Sequence, residues 1–155
     1  MKLIWQYRYA KFSLLFLFTI ITLLQLFSFP GQFRHMKKQG VIELWQEVIL
    51  TTLMAAILLS AQFALFCIWK IINLMQRDQF FSESSLHWFN LIANSIRFAL
   101  ISALFLLGLI LLQADDPGGP VLLTAITLFV STLYILASLL REQVRIKVRN
   151  QLKLE

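Results

Sequence analysis

The chain has 155 residues, 59% of them apolar and 14% charged, with a formal net charge of +6. Soluble domains run at roughly 45–50% apolar and about 25% charged, so a water-soluble globule of this size has too little interior for these side chains. The charges gather in short stretches between long uncharged runs, which excludes a basic nucleic-acid surface and points to lipid as the solvent.

The first apolar run, 12–29, holds 18 residues without a charge, about 27 Å as a helix against a bilayer core of about 30 Å. Lys2, Arg8 and Lys11 precede it. It exceeds a signal-peptide core of about 7–15 residues and lacks a small-residue cleavage pattern, so it reads as an uncleaved anchor. Pro30-Gly31 is expected to stop the helix. The second run, 48–69, is about 33 Å long as a helix. Trp45 and Trp69 bracket it about 36 Å apart, the separation of two interfacial belts. Within it, Ala56, Ser60 and Ala64 form a small-xxx-small series beside Gln62. Cys67 is the only cysteine, which rules out an intrachain disulfide; it reads as a packing residue.

Between the second and third runs, Phe80-Phe81-Ser82-Glu83 reads as a helix start, with Ser82 as cap and Glu83 in the positive first turn. Phe81 is placed to staple to Leu86. The third span, 91–112, carries Ser95, Ala99 and Ala103 at helical spacing, and Arg97 near its start. Eighteen residues separate Arg97 from Asp115, about 27 Å, so its side chain is expected to snorkel to the headgroups. Asp115-Asp116-Pro117-Gly118-Gly119-Pro120 reads as a compact turn, making spans three and four a hairpin.

The fourth span, 121–140, places Thr124, Thr127, Ser131, Tyr134 and Ser138 on one face, at steps of three and four. Hydroxyls there are expected to bond across a helix contact, with a homo-oligomer seam or a polar ligand face as the functional alternative. The tail 141–155 sets Val144, Val148 and Leu152 four apart beside a second row of Arg141, Arg145 and Arg149. That is a basic amphipathic continuation of the fourth helix, suited to anionic lipid or to a partner helix.

The fold class read from these runs is all-α: a polytopic membrane protein with a four-helix transmembrane bundle. Eleven Lys and Arg fall on the side of both tails and the 70–97 segment, against Arg34, Lys37 and Lys38 on the other. The positive-inside rule therefore predicts both termini in the cytoplasm. No Asp or Glu lies within a span, which removes the usual coupling group of a proton-driven exporter. His35 and His87 are predicted on opposite sides, and no nucleophile–base, metal or phosphate-binding pattern is present. No enzyme, metal or cofactor is expected.

Cys67-Ile68-Trp69-Lys70-Ile71-Ile72-Asn73-Leu74, then Arg77-Asp78-Gln79-Phe80-Phe81-Ser82 and Leu86-His87-Trp88, resemble a family of small bacterial membrane proteins catalogued as domain of unknown function 2975. The resemblance covers roughly 56–141 and implies four spans and a bacterial cytoplasmic membrane. It assigns no catalytic residue. The basic Arg145-Ile146-Lys147-Val148-Arg149 departs from the acidic ending of many members. Some members are similar to proteins encoded beside helix-turn-helix regulators, which implies a tethering or signalling role. The functional expectation is a non-enzymatic membrane protein that contacts a cytoplasmic partner through Phe80, Phe81 and Ser82 and through Arg141, Arg145 and Arg149. Direct binding of nucleic acid is not expected. An oligomeric carrier of a small solute and a self-immunity protein are the alternatives.

Overall fold

The computed structural model describes residues 2–40, 42–112 and 118–152, and all regular structure in them is helical. Helix α1 (Lys2–Leu23) passes through a π-helical turn, Leu24–Ser28, into α2 (Phe29–Lys38); α3 is Leu44–Met75, α4 is Glu83–Leu111 and α5 is Gly118–Leu152. Among the described residues, four stretches are long and apolar enough to cross a membrane: Trp5–Phe27, Leu44–Met75, Glu83–Leu111 and Pro120–Asn150.

Two expectations that rested on proline need correction. Pro30 does not end the first helix, which continues to Lys38. Proline cannot donate to the carbonyl four residues back, and the wider π turn just before it is a recognised way of absorbing that break without losing the helix. The stop comes instead at Gly40, whose φ of +73° lies in the left-handed region that favours glycine. Similarly, Gly118, Gly119 and Pro120 form the first turn of α5 rather than a connecting turn. Backbone N–H groups there have no helical partner, so proline forfeits nothing. The other residues of that expected turn, 115–117, lie outside the described residues.

Helix α3 ends on a paired motif: Gln79 N–H donates to Leu74 O at 3.0 Å and Asp78 N–H to Met75 O at 3.2 Å. Asp78 supplies the left-handed residue, with φ of 58°. Four residues later Ser82 caps α4, its Oγ accepting from Ser85 N–H at 3.2 Å, with Glu83 in the first turn. The short polar stretch after Arg77 therefore both closes one helix and opens the next.

The helices stand side by side in the order α1, α3, α4, α5. Central α4 packs along both α3 and α5, whereas α1 rests on α3 and has no backbone contact with α4 or α5. Two side-chain bonds fix α1: Gln62 Nε2 donates to Thr22 Oγ1 and Lys11 Nζ to Gln76 Oε1, each at 2.8 Å. They set α1 antiparallel to α3, so the starts of α1 and α4 lie with the ends of α3 and α5. We call this the tail end, and the opposite one the turn end.

Two kinds of packing divide the bundle. Within the spans, α4 buries mainly small residues, Ala93, Ser95, Ala99, Ser102 and Ala103, with Leu106. Lipid tails are as apolar as leucine, so helices there gain from close approach rather than from hiding large side chains. The larger cluster, Cys67, Ile71, Phe89, Ile92, Val144 and Val148, sits toward the tail end. Helix α5 is 35 residues long, about 52 Å, which exceeds a bilayer core by about 20 Å. Its uncharged part ends at Arg141 and that of α3 at Lys70, so the excess extends beyond those charges. Val144 and Val148 are buried in that extension, where water makes apolar contact favourable.

Candidate functional site

The polar row of α5 is partly assembled. Thr127 is buried, Ser131, Tyr134 and Ser138 are half-buried, and Thr124 is exposed. The hydroxyls do not behave as the sequence led us to expect. Thr124 donates to Pro120 O, Thr127 to Leu123 O and Ser131 to Thr127 O, at 2.8, 2.8 and 2.9 Å. Each bond returns to the same helix one turn back, the usual way for a hydroxyl in lipid to satisfy itself. Ser138 Oγ is buried without a hydrogen-bond partner, as is Arg141 Nε one turn further on.

The two expected docking segments meet each other. Phe80 packs against the tail-end cluster, with its ring 5.8 Å from that of Phe89. Phe81 is more exposed and lies beneath the Lys147 ammonium, 4.2 Å from nitrogen to ring centroid. Of the two rings it is Phe80 that turns inward, packed like Leu86 against the cluster. Ser82 is occupied as the α4 cap. In the tail, Val144 and Val148 are already covered, while Arg141 and Arg145 are half-buried and Arg149 is exposed. The tail end thus presents basic charge with some apolar surface beside it, since Phe81 and Ile146 are exposed. One pair tempers the charge, Arg145 to Glu142 at 3.1 Å.

Arg97 is exposed, on the outside of α4, 14 residues from Leu111 and so about 21 Å along the helix. It points outward rather than into the bundle, and a long side chain at that depth reaches the headgroups by snorkelling. Both histidines are exposed; His35 ends α2 at the turn end and His87 lies near the start of α4 at the tail end. At the turn end, a shallow depression of about 720 Å³ lies between α2 and α3, flanked by Arg34, Lys37 and Lys38. Lys37 pairs there with Glu47 at 3.0 Å. Among the described residues, no three His, Cys, Asp or Glu side chains come together.

The feature that sequence reading missed is a lateral groove. Because α1 and α5 do not meet, α3 and α4 form the floor of an apolar trough of about 530 Å³ between them. Ala61, Ala64 and Ile92 lie on its floor, Leu17 and Ile21 on the α1 wall, and Leu136 and Leu140 on the α5 wall. Ser60 is the one hydroxyl there, and it donates to Ala56 O at 2.8 Å, leaving the trough without a free donor. Sequence pattern could mark Ser60 and Ala64 as small, but not whether a helix or open space lay above them.

Four apolar helices around such a groove define a multi-pass membrane protein with an open helical bundle. Comparison with known families agrees: the family described as "Protein of unknown function (DUF2975)" matches residues 31–151. The chain belongs to that family, and α1 precedes the matched region. No curated protein and no solved structure matches the chain.

Proposed function

We propose that the chain is a non-enzymatic anchor in a bacterial cytoplasmic membrane, with both termini inside, that presents a rigid basic surface to an acidic cytoplasmic protein. The observation that supports this is the ordered tail end. The end of α3, the start of α4 and the last turns of α5 close on their own apolar cluster, which begins at Cys67 and extends with Ile71, Val144 and Val148 beyond the charges that mark the membrane surface. An extension with its apolar row covered has no need of a lipid surface to stay folded. It holds Arg141, Arg145 and Arg149 in one row on a fixed helix, which favours a partner over a mobile stop-transfer tail. A helix-turn-helix regulator is the partner class suggested by the family resemblance.

The test is affinity capture from cells in mild detergent, comparing the wild type with the triple change Arg141→Gln, Arg145→Gln, Arg149→Gln. The anchor reading expects one cytoplasmic protein to be recovered with the wild type and lost with the variant. An identical set of captured proteins would sink it. The solute-carrier alternative gains little support, because the Thr127 and Ser131 hydroxyls are turned back on their own helix.

A further inference from the structure

We infer that the groove between α1 and α5 is a binding site for one anionic phospholipid, an acyl chain lying in the trough and the headgroup held at the tail-end mouth. This goes beyond the anchor reading and does not depend on it. The first argument is shape and lining. The trough follows α3 from Ile57 to Met75, 18 residues, or about 27 Å. It is apolar throughout, and its one hydroxyl among the described residues, Ser60, is already bonded to Ala56 O, so it suits an extended hydrocarbon chain. Length agrees, since the trough exceeds the ~15 Å depth of one leaflet's hydrocarbon.

The second argument is charge. The trough is bare of free polar groups along its length, and its tail-end mouth is basic. Met75, the last lining residue of α3, is followed by Gln76, which holds Lys11, and then by Arg77. On the opposite wall, Leu133, Leu140 and Lys147 are seven residues apart and share one row of α5. Lys147 is tied to Phe81 in the connection between α3 and α4, which sets it over the same mouth. Lys11, Arg77 and Lys147 thus come from three elements to one end of the trough, with Asp78 the carboxylate of that turn. A zwitterionic headgroup gains little from such a set, whereas an anionic one gains from each cation.

Native mass spectrometry of the full chain in mild detergent tests this, with phosphatidylglycerol and phosphatidylcholine of the same acyl chains as probes. The wild type should retain phosphatidylglycerol in preference by at least about fivefold, the effect of one cation near an anionic headgroup. Ala64→Phe, which fills the floor, should abolish retention of both lipids. Arg77→Gln with Lys147→Gln should keep the lipid but remove the preference. If circular dichroism shows that Ala64→Phe unfolds, Leu136→Trp on the α5 wall serves in its place. Equal retention of the two lipids by the wild type, full retention by the filled variant, or a lipid-free dimer would each overturn the proposal.

Discussion

Lys147 Nζ lies 4.2 Å from the centre of the Phe81 ring, joining the last turns of α5 to the connection between α3 and α4. The two aromatic neighbours in that connection have different work: Phe80 packs against the tail-end cluster, whereas Phe81 is exposed and meets the Phe80 ring edge-on at 4.9 Å. Phe80→Ala is therefore expected to destabilise by about 2–4 kcal/mol, as cavity-forming aromatic truncations do when the site is partly buried. Phe81→Ala or Lys147→Gln should cost about 0.5–1 kcal/mol, the size of a largely exposed cation–π contact. Urea titration followed by the fluorescence of Trp88, which packs on the cluster, gives the comparison in a background with Trp5, Trp45 and Trp69 changed to Phe. Equal losses would show that the two rings share one role.

The α5 extension is held by its valines, not its arginines. Val144→Asp should open residues beyond Arg141 to trypsin, because an unpaired carboxylate would sit in the apolar cluster. Arg149→Gln, at an exposed position, should leave the cleavage pattern around residues 141–145 unchanged. Protection of the extension in Val144→Asp would mean that something other than the cluster orders it.

Asp78 occupies the left-handed position of the α3 terminus at φ 58°. Asp78→Gly should be neutral or stabilising by up to about 1 kcal/mol, since glycine takes that conformation without steric cost. Asp78→Val should destabilise by roughly 1–2 kcal/mol. Melting temperatures in one detergent decide the order; a stable valine variant would contradict the assigned geometry.

Among the described residues, Gln62 carries one of two side-chain hydrogen bonds between α1 and the α3 segment. Gln62→Leu should weaken that attachment by about 0.6 kcal/mol, and not much above 1.7, the range for hydrogen bonds between membrane helices. Disulfide trapping between cysteines placed on α1 and α3 would report the looser contact as slower, less complete cross-linking. An unchanged trapping rate would place the attachment elsewhere, with Lys11 and Gln76.

Cys67, fully buried, gives a quiet background for membrane-impermeant thiol reagents. With both termini inside, Asn150→Cys should label only after the membrane is opened, and Gln39→Cys should label in intact cells. The reverse pattern would invert the proposed orientation.

The spans were readable in the sequence because uncharged runs of about twenty residues admit few other structures. Two of their ends were readable as well, the start of α4 at Ser82-Glu83 and the continuation of α5 into the basic tail, whereas α3 outruns its apolar run at both ends, from Leu44 to Met75. Pro30 misled because proline breaks a ladder only where the geometry cannot widen. The row of Val144 and Val148 was visible, but periodicity alone does not say whether its apolar side meets lipid, a partner or the same chain. The groove was hidden for a related reason: it is a space between α1 and α5, and no residue of either helix announces that its neighbour is missing.

The tail-end cluster has a practical consequence for anyone handling this protein. Its spans answer to the amphiphile that surrounds them, and its protruding end answers to the aqueous phase. Chaotropes should loosen the far end of α5 before they touch the membrane-embedded part, whereas a harsh change of detergent should do the opposite. A single melting curve would then blend two transitions with different chemical sensitivities.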